Sequence, residues 1–164
     1  MRVFGIDPGS HLTGYGIVEK RDNKLVHIDN GVVRPQSNQS FNERLRIIYQ
    51  QICDLLDEFK PDVVALEDTF VAKNAKSAMK LGQARGVAIL AASVRGLDIV
   101  EYHPTHIKQA ITGVGGATKS QIQMMVKAIL KLPDVAQEDA SDALAVAICH
   151  LHSAKIKQMI ERKK

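Results

Sequence analysis

The spacing of apolar positions changes period along this chain, and the changes divide it into elements. Residues 2–7 form a short apolar run that stops at Asp7-Pro8-Gly9, a turn signal. Residues 13–18 read as a second, glycine-broken strand. Residues 25–33, rich in β-branched side chains, read as a third that ends before Arg34-Pro35. Three strands in succession predict an antiparallel meander. Helical spacing then takes over. Ser40-Phe41-Asn42-Glu43 is a capping box, with Ser at the cap and Glu three residues on. Leu45, Ile48, Ile52, Leu55, Leu56 and Phe59 follow as one apolar stripe that Pro61 terminates. Residues 63–66 are continuously apolar, as in a strand covered on both faces. Residues 74–95 predict a long helix of small residues, 98–102 a fifth strand and 104–111 a short helix. Thr118-Lys119-Ser120-Gln121 is a second capping box, opening a helix that runs to Leu130. Pro133 breaks the chain, and a last helix starts at about Glu138. The order βββ-α-β-α-β-α-α-α predicts an α/β fold, one five-stranded mixed sheet with helices on its faces. Functional groups in such a sheet gather at the carboxyl ends of strands.

Composition narrows this picture without changing it. A chain of 164 residues with 45% hydrophobic and 24% charged side chains has the size and make-up of one globular domain, so 1–164 is expected to be a single unit. Nothing approaches the ~20 apolar residues of a membrane span. The first residues are too few and too polar for a signal peptide, and a cytoplasmic location is the expectation. Cys53 and Cys149 lie far apart in apolar helical patterns and read as small buried hydrophobes. Cys149-His150 with His152 lacks metal-ligand spacing.

Charge is unevenly distributed. Residues 1–70 carry eight basic and 11 acidic side chains, 71–120 seven and two, 121–150 two and four, and 151–164 five and one. Alternating blocks fit solvated helix faces, and they fit equally a polyanion-binding surface around an acidic centre. The tail 155–164 is basic and reads as a frayed helix end.

Acidic side chains stand where chemistry is expected. Asp7 ends the first strand and Glu67 the fourth. Asp139 and Asp142, three apart, project from one helix face. Each has a plain reading: Asp7 as a turn residue, Glu67 as a solvated strand end with Asp68 its equal competitor, Asp139 as a helix cap. Asp142 resists this best, because Ala140, Ala143, Leu144 and Ala145 surround it. If the four converge they repel one another unless a cation neutralises them. Oxygen-only ligands suit Mg²⁺ or Mn²⁺, and two such ions about 4 Å apart suit phosphodiester hydrolysis. His103 and His106 flank Pro104 without a third ligand in sequence, and read as surface or supporting residues.

Taken together, these segments resemble the bacterial RuvC family of Holliday-junction resolvases over essentially the whole chain. The matching stretches are Gly5-Ile6-Asp7-Pro8-Gly9, Thr13-Gly14-Tyr15-Gly16, Leu66-Glu67, Ala72-Lys73-Asn74-Ala75 through Gly82-Gln83-Ala84-Arg85-Gly86, and Asp139-Ala140-Ser141-Asp142-Ala143-Leu144-Ala145. The resemblance implies a ribonuclease-H-like fold, a homodimer, Mg²⁺-dependent symmetric nicking of two strands of like polarity in four-way junction DNA, and the branch-migration partners RuvA and RuvB. It assigns Asp7, Glu67, Asp139 and Asp142 to the catalytic, metal-binding positions. Lys108 and Lys119 match basic residues near the scissile phosphate. Phe70 resembles an aromatic that touches junction bases, with a core anchor as its plain alternative.

Two further motifs fall short. Gly113-Val114-Gly115-Gly116-Ala117-Thr118-Lys119-Ser120 approaches a phosphate-binding loop but has Thr118 where Gly is required before Lys-Ser. Ile6-Asp7-Pro8-Gly9-Ser10 resembles the first loop of actin-like ATPases, which need two such domains. Between 74 and 95, Ala75, Ala78, Gly82, Ala84, Gly86, Ala88, Ala91 and Ala92 make a small-residue surface, which fits either packing on the sheet or a two-fold seam. Lys73, Lys76, Lys80 and Arg85 on the same segment are expected phosphate contacts. The leading expectation is a junction-cutting endonuclease. A junction-binding protein without catalysis and a related nuclease acting on RNA are its competitors.

Overall fold

The computed structural model describes residues 1–68 and 74–161, with 154–161 described by backbone alone. Phe70 and Lys73 lie outside the described residues, as do the side chains of the basic tail. Five strands and five helices follow the expected order: β1 (Arg2–Asp7), β2 (Thr13–Arg21), β3 (Lys24–Val33), α1 (Phe41–Phe59), β4 (Val63–Glu67), α2 (Ala75–Ser93), β5 (Asp98–Tyr102), α3 (Pro104–Thr112), α4 (Lys119–Leu130) and α5 (Glu138–Glu161). The strands form one mixed sheet in the order β3-β2-β1-β4-β5. β1 pairs antiparallel with β2, and β2 with β3; β4 runs parallel to β1, and β5 to β4.

Local chemistry explains most boundaries. Both expected capping boxes form, at Ser40 with Glu43 and at Thr118 with Gln121. β2 runs three residues past the apolar pattern to Arg21, because it continues into a hairpin. Asp22 and Asn23 turn it at φ 47° and 64°, the left-handed pair that matches strand twist and that Asn and Asp tolerate. Asp139 is not the cap of α5. The Gln137 carboxamide oxygen accepts from the Ala140 amide at 3.2 Å, ahead of the helix.

The sheet separates two cores. Phe4, Ile6, Ile17, Val64 and Leu66 face α1 and α2, meeting Ile48, Ile52, Leu56, Ala88 and Ala92. Val3, Val18, Val63 and Ala65 face α3, α4 and α5, meeting Ile107, Ile122, Val126, Leu144 and Ile148. Cys53 and Cys149 are free and buried. Among the described residues no helix is long and apolar enough to cross a membrane.

Glycines on the second face let α5 settle onto the strands. A Cβ on Gly5 would stand 2.0 Å from the Ala143 carbonyl oxygen. One on Gly14 would stand 2.0 Å from the Asp139 oxygen and 2.9 Å from its Cβ, so main chain nearly touches main chain along residues 139–144.

Candidate active site

β1 and β4 run parallel with Ile6 opposite Leu66, so the next residues, Asp7 and Glu67, end adjacent strands side by side. Side chains alternate along a strand, which puts both on the face of Val3 and Ala65, beneath α5. At Gly14, the partner of Asp7 in β2, α5 lies against the strand through Asp139, which brings the first turn of that helix to Asp7. A cavity of about 470 Å³ opens there. Asp7, Glu67 and Asp142 line it, with Lys108, Lys119 and Arg85 as cations and Leu81, Pro104, Ile107 and Ile122 as apolar wall.

Electrostatics report how tightly the acids meet. Burial, and then the charges of Asp142, Glu67 and Asp139, push the Asp7 carboxyl up to about 7 from its ordinary 3.8, against the pull of Lys119. Burial first and Asp142 second raise Glu67, while Lys119, Lys108 and His103 oppose them. Burial also raises Asp142, Lys119 opposing. The Lys119 ammonium lies 2.5 Å from a Glu138 oxygen and 3.8 Å from Asp142 Oδ2, and these carboxylates hold its own pKa up, the Glu138 hydrogen bond foremost. Asp139 acts on Asp7 and Asp142 through its charge, but its Oδ2 accepts from Gln137 Nε2 at 2.6 Å.

Among the described residues no three His, Cys, Asp or Glu groups are closed to metal-holding distance. The donor set nonetheless fits a hard divalent cation. All the donors are oxygens, and three of the carboxyls are partly buried with raised pKa values. Lys119, together with Lys108 and His103 at Glu67, offsets part of their charge. Swinging Asp139 from Gln137 and Lys119 towards Glu138 would free the oxygens.

The remaining expected site residues divide. Lys108 and Lys119 reach the cavity. Lys76 and Lys80 lie on the first two turns of α2, outside the cavity lining, with Lys80 Nζ 5.4 Å from the centre of the Phe41 ring. Arg85, expected as a surface phosphate contact, is 8% exposed. Its guanidinium donates to the Glu67 carbonyl at 2.6 Å and pairs with Glu101 at 2.8 Å. His103 was expected at the surface or in support, and its charge acts on Glu67. The signal for it was its place one residue past β5, whose Tyr102 pairs with Glu67. His150 is buried and its Nδ1 lies 2.9 Å from the Tyr102 hydroxyl, a structural contact away from the carboxylates.

Comparison with known proteins adds an independent line. The family model of "Crossover junction endodeoxyribonuclease RuvC" matches residues 3–150. A protein of that name from Citrifermentans bemidjiense is 55% identical over 161 residues, covering 98% of each chain. A solved structure of Thermus thermophilus RuvC in complex with Holliday junction substrate superimposes with TM-score 0.89 at 33% identity, over 96% of each chain. The yeast mitochondrial Holliday junction resolvase Ydc2 shares the fold, with TM-score 0.70 at 14% identity, over 95% of this chain and 80% of its own.

Proposed function

This chain belongs to the RuvC family of crossover junction endodeoxyribonucleases, and from that premise we propose how its residues carry out the cutting. It is a DNA endonuclease that resolves Holliday junctions. The observation that carries the mechanism is the meeting of Asp7, Glu67 and Asp142 in one cavity beside Lys108 and Lys119. Asp7, Glu67, Asp139 and Asp142 would hold Mg²⁺, with Mn²⁺ as a substitute and charge enough for two ions. The chemistry such a cation supplies is Lewis acidity, lowering the pKa of a water and offsetting charge on the phosphate.

The protein's own part is placement and charge. Asp7 sits on a strand end locked by β2 and β4 on either side, so its carboxylate is fixed while the substrate varies. Lys119, at the first turn of α4, exchanges its carboxylate partners for a non-bridging phosphate oxygen as the junction enters. Lys108, one turn into α3, positions the neighbouring phosphate. Lys76 and Lys80 extend the cationic surface along α2, making affinity salt-dependent. Phe70 would stack on junction bases.

Two nicks in strands of like polarity need two such sites, and a second copy of the chain supplies the other. Met79 and Leu90 are exposed on α2, and Val94 at its C-cap. Gly82 and Gly86 share their stripe, and a Cβ on either would meet no described atom within 4 Å. Glycine within a helix costs roughly 1 kcal/mol relative to alanine, and a two-fold helix contact would offset that. We place the enzyme in the cytoplasm as a single domain, working with RuvA and RuvB.

The test is cleavage of a synthetic four-way junction, with and without Mg²⁺, beside an RNA–DNA hybrid, with product ends mapped on all strands. Paired symmetric nicks in the junction with Mg²⁺ are expected. Asp7→Asn should keep junction binding and lose cutting by several orders of magnitude; wild-type rates in that variant would refute the assignment.

A further inference from the structure

Among the described residues, Arg85 is the only lysine or arginine that the fold buries. A buried guanidinium is costly unless its donors are matched, so its partners indicate its task. Among those partners are the carbonyl of Glu67 at 2.6 Å and the carboxylate of Glu101 at 2.8 Å. β4 ends at Glu67. Beyond it the ladder to β5 makes one more bond, from the Asp68 amide to the Tyr102 carbonyl at 2.8 Å. The main chain from which the Glu67 side chain hangs is therefore held on one side by β5 and on the other by Arg85, reaching across from α2. The cations that act on the Glu67 carboxylate charge are Lys119, Lys108 and His103; Arg85 instead grips its peptide.

We propose that Arg85 is a positioning residue for the nuclease. Its guanidinium clamps the end of β4 between α2 and the Glu101 side chain of β5, so that Glu67 presents its carboxylate to the cation, and it does not bind DNA phosphate. The inference rests on reading the carboxylates as the metal-holding group. An arginine is required because the two acceptors belong to different strands, and a planar fork spans both where a lysine ammonium is a point charge that serves one. Groups that orient a metal ligand in this way are commonly worth about 10–100-fold in metal affinity or activity.

The experiment compares wild type, Arg85→Lys and Glu101→Gln. Three quantities are measured: the Mg²⁺ midpoint of junction cutting, junction affinity in EDTA at fixed salt, and the rise in Tm on adding Mg²⁺. Arg85→Lys should raise the Mg²⁺ midpoint about tenfold or more, and shrink the Mg²⁺-induced rise in Tm. Its junction affinity should stay within about twofold, since no phosphate contact is lost. Glu101→Gln alters an exposed side chain and should move the midpoint the same way by about threefold. Unchanged midpoints in both variants overturn the proposal. So does lost junction affinity at an unchanged midpoint, which would make Arg85 a phosphate contact. Should Arg85→Lys fail to fold, Glu101→Gln decides alone. A wild type that neither cuts with Mg²⁺ nor gains Tm from it would refute the metal reading first, and this inference with it.

Discussion

Replacing Asp7 by Asn should make the metal-free protein more stable while abolishing its chemistry. Burial and three neighbouring carboxylates push the Asp7 carboxyl up to about 7 from 3.8. The folded state thus disfavours its ionised form. The cost is absent below about pH 4, where the group is protonated in both states. It grows as pH rises and is complete above about pH 7. At ~1.36 kcal/mol per pKa unit, three units set a ceiling of roughly 4 kcal/mol. Asp7 keeps partial solvent exposure, which lowers the expected gain to about 2 kcal/mol. For a chain of this length that is about 4–8 °C in Tm. Thermal melts in EDTA at pH 8 should show Asp7→Asn above wild type by that margin. The gap should close towards pH 4. Mg²⁺ should raise the wild-type Tm more than that of the variant, because the oxygens that repel one another are those that bind the ion. If Asp7→Asn melts at or below wild type at pH 8 in EDTA, the acids do not strain the fold and the electrostatic account of the site is wrong.

Other outcomes follow from the same geometry. Gly5→Ala would place a Cβ 2.0 Å from the Ala143 carbonyl oxygen and should cost about 3 kcal/mol or more, read by urea unfolding, with cutting lost as α5 is pushed off the strands. At limiting Mg²⁺, cutting should increase as pH rises through about 7, because the proton leaves Asp7 in favour of the metal. Raising Mg²⁺ should shift that midpoint to lower pH, as a rate titration would show. Leu90→Glu, on the exposed stripe of α2, should convert the proposed dimer to a monomer in light scattering and replace paired nicks by single ones.

The sequence by itself determined the elements and their order. Two capping boxes, the stops at Pro61 and Pro133, and the change from alternating to helical spacing are local signals, and local signals survive in a string of letters. It also singled out the acids as a group, although Asp7, Glu67 and Asp139 each had a plain reading alone and Asp68 competed equally with Glu67; the resemblance to the family motifs supplied their grouping. What the tertiary structure alone decided is how these parts meet. The parallel register of β1 and β4 sets Asp7 beside Glu67, and the glycines at 5 and 14 let α5 descend to them. Gln137 rather than Asp139 caps that helix, and His103 acts on Glu67 across the end of β5. Arg85 looked like one more basic residue on an exposed helix, yet it turns inward to hold a carbonyl 18 residues earlier in the chain. The physical reason is the range of the interactions. Caps, turns and periodicity act within about four residues, whereas burial, register and charge coupling exist only after distant segments have packed.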